Sequence, residues 1–184
     1  IISSNFLPNE DALILFRYAE NFSETGIISY NPNSEKVEGA TDFLWMILLS
    51  IFSFLNFDIF FSAIMLNTFS LSLVSIILVK EFNLKNYYAY IIFLFHLFLG
   101  YAWSSIFGFS VLFVELILIL FLISFKRNNT LGLLMLGFIG TLIRPDFILF
   151  IILICAFHFF KNISYKKIFY YLLFTSLGLV YFYW

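Results

Sequence analysis

Residues Ile59 to Val79 read IFFSAIMLNTFSLSLVSIILV, an apolar stretch without one charged side chain, followed by Lys80 and then Lys85. Its length matches the roughly 20 residues a straight helix needs to cross a bilayer. The same texture recurs on both sides. Phe43 to Phe57 precedes it, and Tyr87 to Trp103, Phe109 to Phe125, Leu131 to Ile143, Phe147 to Phe160 and a run from Ile168 come after it. The chain is 62% hydrophobic and 11% charged, whereas soluble domains are nearer half apolar and a quarter charged. These runs predict an all-α membrane protein, a multi-span helical bundle of about six to seven apolar helices. Tyr87, Tyr88, Trp103, Tyr165 and Trp184 stand near run ends, as interfacial aromatic residues do.

Residues 1–42 are different in kind. They hold Glu10, Asp11, Glu20, Glu24, Glu35, Glu38 and Asp42, so the chain divides into a polar, acidic segment (1–42) and an apolar bundle (43–184). A short amphipathic helix is expected from about Asp11 to Asn21, with Asp11 as its N-cap. Gly26 is placed to close it in a left-handed turn. Ile27 to Tyr30 reads as extended, Asn31-Pro32-Asn33-Ser34 as a turn, and Thr41 or Asp42 as the cap of the next helix. Ile1-Ile2 and the closing Tyr181-Phe182-Tyr183-Trp184 both look like parts of spans, so the chain is expected to be a fragment of a longer multi-pass protein, incomplete at both ends. The net charge of -1 steers it toward no partner, and nothing in the pattern points to nucleic acid. Cys155 stands alone in an apolar run and reads as a small core residue.

Basic residues bias the topology. Lys80 and Lys85, Lys126 and Arg127, and Lys161, Lys166 and Lys167 are drawn to the cytoplasm by the positive-inside rule. If every run crosses once, the acidic segment is also cytoplasmic. If Phe43 to Phe57 crosses only partly, the segment lies outside. Both topologies stay open on charge alone.

Few residues carry chemistry. Glu10-Asp11 at a helix start serves either as a general base with its modulator or as a cap interacting with the helix dipole. Arg144-Pro145-Asp146 interrupts two apolar runs, where charge is expensive. Proline ends the helix before it, and Arg144 either holds an anion such as phosphate with Asp146 orienting it or forms a structural ion pair. Glu115 sits within an apolar run, a functional candidate or a hydrogen-bonded helix contact. His96 and His158 have no metal-ligand spacing and read as packing residues. The sequons at Asn21, Asn128 and Asn162 recur by chance and carry no assignment.

The stretch EDALILFRYAENFSETGIISYNPNSEKVEGATDFLWMILL, residues 10–49, resembles the first extracytoplasmic loop of bacterial GT-C glycosyltransferases, in the group that contains the mycobacterial terminal arabinofuranosyltransferase. The likeness lies in an acidic pair, Phe-Arg-Tyr, Tyr-Asn-Pro, Val-Glu-Gly and Phe-Leu-Trp in that order. It continues weakly from Trp103 to Phe113 and again at LIRPDFILF, residues 142–150. The resemblance implies that Asp11 is the catalytic base, with Glu10 in place of a first aspartate. It implies Arg144, Arg17 and Asp146 at the donor phosphate, and Tyr18, Asn31 and Glu38 at the substrate. Gly108-Phe109-Ser110-Val111 stands where the family often has Gly-Leu-Glu-Thr, with Ser110 in the glutamate's position.

The activity implied by the resemblance is transfer of a sugar from a polyprenyl-phosphate donor to a glycan, lipid or protein acceptor. The enzyme would sit in the cytoplasmic membrane with the acidic segment and its active site outside. No resident cofactor or metal-ligand residue is assigned; the lipid-linked sugar is a substrate, and a divalent cation is the one ion considered at the phosphate. The alternatives are a multi-pass transporter or lipid flippase, which needs charges near mid-membrane and related halves, and a non-catalytic membrane scaffold.

Overall fold

The computed structural model describes residues 10–31, 42–98, 108–160 and 165–180. All regular structure among them is helical: α1 Glu10–Thr25, α2 Phe43–Phe54, α3 Ile59–Glu81, α4 Tyr87–Phe98, α5 Val111–Lys126, α6 Thr130–Ile143, a 3-10 turn Pro145–Phe147, α7 Ile148–Phe160 and α8 Tyr165–Val180. The helices track the apolar runs closely. Glu35, Glu38, Thr41, Trp103 and Lys161 lie outside the described residues, as do the side chains of Cys155 and His158.

Three asparagines set where helices stop. Asn56, Asn83 and Asn128 take φ of 63°, 51° and 53°, the left-handed region that asparagine enters more readily than other residues with a Cβ. Each is succeeded by a backbone bond reaching five residues back: Phe57 N–H to Phe52 O at 3.0 Å, Leu84 N–H to Val79 O at 2.9 Å, and Asn129 N–H to Ser124 O at 2.9 Å. This is the Schellman closure, with asparagine in the position usually given to glycine. Restart signals come directly after. Asp58 accepts from Phe61 N–H at 2.7 Å ahead of α3, and Asn129 accepts from Gly132 N–H at 3.1 Å ahead of α6. The Asn128 sequon is therefore a helix stop and start. Before Pro145, Arg144 is extended (φ -142°, ψ 126°), as the proline ring requires, and α6 ends at Ile143.

α1 begins at Glu10, so Asp11 lies inside the first turn and is not the N-cap expected of it. The helix also runs four residues beyond Asn21. Gly26 closes it as expected, at φ 70° with its N–H on Phe22 O at 2.9 Å. Ile27 to Tyr30 is irregular chain.

Expected crossings shorten in the structure. Among the described residues α3 alone is long and apolar enough to cross a membrane. Its 23 residues span about 34 Å at ~1.5 Å each. α2 has 12 residues, about 18 Å, against hydrocarbon ~30 Å thick.

α3 is built inside out. It buries Ser62, Ala63, Asn67, Ser70 and Ser75 beside Leu71, Val74 and Val79, and exposes Phe61, Met65, Phe69 and Ile76. A helix facing water does the reverse. Small and hydroxylated residues inside, with large apolar ones outside, is the packing of helices in lipid. The buried hydroxyls are satisfied by their own helix: Ser62 donates to Asp58 O at 2.8 Å, Ser70 to Leu66 O at 2.8 Å and Ser75 to Leu71 O at 2.9 Å.

The chain forms two compact units: residues 1–40 with 45–116, and 41–44 with 117–184. In the first, α3 packs on α4, and Phe16 of α1 meets Phe60 of α3 with ring centres 6.3 Å apart. Trp45 is fully buried, donating from Nε1 to Gly108 O at 3.1 Å with its ring against Phe113. Asn67 Nδ2 donates to Phe109 O at 2.8 Å. Two distant side chains thus hold the chain just ahead of α5. Gly108 has φ 107° and lies against the Phe16 ring, so no side chain fits there.

In the second unit α6 packs on α8, and α7 contacts both. Buried Phe147, from the 3-10 turn, lies over Gly140 and edge-on to Phe121, 5.5 Å between centres. A methyl on Gly140 would overlap the Phe147 ring. Gly140→Ala is therefore expected to destabilise the fold by about 1–3 kcal/mol, the usual range for overpacking. Thermal melting of the purified chain, monitored by near-ultraviolet circular dichroism, measures this.

Candidate functional site

The first turn of α1 presents Glu10 and Asp11, both exposed. Their charges lie at the helix N-terminus, where the backbone dipole favours anions. The opposite face, Ala12, Leu15, Phe16 and Ala19, is buried. Arg17 comes seven positions after Glu10, so the two share a face of the helix, with exposed Leu13 and Ile14 between them. Arg17 Nη1 stands 3.6 Å from Glu20 Oε2, and both side chains are exposed. α1 therefore carries an outward stripe with carboxylates at one end and a guanidinium two turns on.

Asn21 fixes the path of the chain beyond α1. Its buried Nδ2 donates to Ser29 O at 2.8 Å and to Tyr30 O at 2.6 Å, folding the 27–30 segment back against the helix. Tyr18 is only 4% exposed and packs against Tyr30, ring centres 5.9 Å apart. It holds this fold together. Asn31 is exposed at the end of the tied segment, and Glu38 lies outside the described residues.

Arg144 and Asp146 belong to the second unit. Their contact, Nε to Oδ1 at 3.3 Å, flanks Pro145, and the side chains are 46% and 60% exposed. An ion pair this open contributes about 0–1 kcal/mol, so stability alone gives little reason for charge at this break.

Sequence reading missed one pair. His96 of α4 and Glu115 of α5 meet at 2.9 Å, Nε2 to Oε1, with side chains 12% and 22% exposed. His96 Nδ1 also lies 2.8 Å from Ile92 O. A carbonyl only accepts, so Nδ1 carries a proton. The bond between Nε2 and Glu115 then contains a second proton, either on the imidazolium or on the carboxyl. In both forms the pair is neutral overall, which is how ionisable groups are accommodated among apolar helices. The available signal was one acid and one histidine in adjacent, otherwise uncharged runs. They lie 19 residues apart, and only packing shows that they meet.

Among the described residues no three His, Cys, Asp or Glu side chains gather to hold a metal ion. Compared with family models, curated proteins and solved structures, the chain matches none.

The shared proton makes a graded prediction. Glu115→Gln keeps a donor for Nε2 and is expected to cost less than about 1 kcal/mol. Glu115→Leu leaves the imidazole without that partner and is expected to cost about 1–3 kcal/mol. Chemical denaturation of both variants, monitored by tryptophan fluorescence, gives the order.

Proposed function

We propose that the chain is part of a multi-span membrane glycosyltransferase of the GT-C kind, moving a sugar from a polyprenyl-phosphate donor to an extracytoplasmic glycan, lipid or protein acceptor. The observation that carries this reading is Asp11, exposed in the first turn of α1 beside Glu10, at the head of the motif-bearing segment. The inside-out pattern of α3 supports a lipid setting. The brevity of α2 supports an incomplete crossing at Phe43 to Phe57, the topology in which positive-inside and an acidic segment outside the cytoplasmic membrane agree.

In the proposed reaction Asp11 accepts the proton of an acceptor hydroxyl as that oxygen bonds to the anomeric carbon. The bond between the anomeric carbon and the phosphate oxygen breaks, and the polyprenyl phosphate departs with the electron pair. Glu10 stands beside the base as a second carboxylate in the first turn of the helix. Arg17 supplies positive charge on the same helix, moderated by Glu20. Tyr18 and Asn21 shape the surface that presents Asn31. Arg144, with Asp146 orienting it, is a second anion-binding candidate on its own unit. Glu38 belongs to the substrate site in this proposal on the resemblance alone.

A second reading, a transporter or flippase, draws on His96 and Glu115, a proton-holding pair between apolar helices.

Asp11→Asn in the full-length protein is expected to lower transfer from a lipid-linked sugar by about 10²–10⁴-fold, the usual contribution of a general base. Near wild-type transfer by that variant sinks the assignment. Arg144→Ala is expected to slow transfer while changing stability by less than about 1 kcal/mol, measured by parallel activity and melting curves. Loss of substrate flux in His96→Leu and Glu115→Leu, with no glycosyl transfer by the wild type, supports the transporter instead. The membrane setting has its own check: the chain is expected to stay in the pellet when membranes are washed with alkaline carbonate and to leave it with detergent.

A further inference from the structure

A cavity of about 460 Å³ opens between α3 and α4, within the range of about 300–1,000 Å³ typical of small-molecule sites. Lys80 and Asn86 stand where α3 ends and the turn leads into α4, while Ile76, Val79 and Phe93 form an apolar wall. Ser72 and Ser75 also line it toward the helix middle, with their hydroxyls donated to the carbonyls of Thr68 and Leu71 in their own helix. Lys80 is exposed and, among the described residues, makes no ion pair. Lys85, also exposed, lies in the same turn. Glu81 is next to Lys80 in the chain but does not line the cavity. α4 has no buried residue at all, so its flank of the groove is open.

From this arrangement we infer that the groove binds one anionic phospholipid. Its phosphate lies at Lys80 and Asn86, and an acyl chain runs along Ile76, Val79 and Phe93. The occupant is argued from charge complementarity and from order: a cation at the helix end and an apolar trough toward the helix middle match a lipid's head and tail. A soluble phosphate compound would leave that trough unfilled. The positive-inside rule places the Lys80 turn at the cytoplasmic surface, where anionic lipids give the leaflet its negative potential. The inference goes beyond sugar transfer and rests only on the membrane setting, which the carbonate wash tests separately.

Native mass spectrometry of the detergent-purified full chain, titrated with phosphatidylglycerol or phosphatidylcholine, tests it. The wild type is expected to retain phosphatidylglycerol in preference to phosphatidylcholine. Lys80→Gln should weaken phosphatidylglycerol about fivefold, the effect of about 1 kcal/mol per basic residue near an anionic surface. It should leave phosphatidylcholine unchanged. Ala89→Trp, which puts bulk into a groove-lining position, should lower retention of both lipids while helicity by circular dichroism stays wild-type. Equal retention of the two lipids by the wild type overturns the proposal. So does unchanged phosphatidylglycerol binding in Lys80→Gln, whatever Ala89→Trp does. A chain that passes the carbonate test and fails this one loses the lipid site and keeps its membrane placement.

Discussion

A polar group buried among apolar helices must find its hydrogen bond inside the protein, because lipid offers none. The buried serines of α3 obey this constraint. Ser62, Ser70 and Ser75 return their hydroxyls to the carbonyl four residues back, and Asn67 reaches across to Phe109. The large side chains Phe61, Met65 and Phe69 are left to face outward. With its buried serine hydroxyls bonded within the helix, α3 serves as the wall against which Phe16 of α1 and the helix α4 pack. Trp45 applies the same rule from α2, giving its one donor to Gly108.

That assembly bears on where chemistry can reside. α1 lies against α3 through Phe16, and Gly108 approaches the same ring so closely that only glycine is tolerated. Packing thus holds the buried face of α1 and leaves Glu10, Asp11 and Arg17 outside. The Asn21 bonds to Ser29 and Tyr30 then fold the adjoining segment against that helix. An acidic stripe held rigidly from behind suits a base that must meet a substrate from outside, since positioning depends on the shell that supports the reacting group.

Much of this was legible in the residues. The apolar runs became helices nearly one for one, because helix-length hydrophobic stretches have few other ways to satisfy their backbone. Pro145 ended α6, and Gly26 closed α1. The asparagine stops were harder to see. Asn56, Asn83 and Asn128 look like ordinary polar interruptions, and their left-handed geometry depends on the local backbone. Asp11 was misplaced by two positions, from cap to the second residue of the first turn. The run from Phe43 to Phe57 gave a helix three residues shorter than itself, because hydropathy does not register the Schellman turn at Asn56.

The sequence by itself determined helical class, element order and the separation of an acidic segment from an apolar remainder. These depend on composition and on neighbours along the chain. Tertiary structure alone decided that His96 meets Glu115, that Tyr18 is buried against Tyr30 while Asp11 stays exposed, and that Lys80 stands at the mouth of an apolar groove. Those facts depend on which helix faces pack together. Where nearly every residue of a helix is apolar, periodicity hardly distinguishes one face from another, so the steric fit of Gly108, Phe16, Trp45 and Asn67 chooses instead.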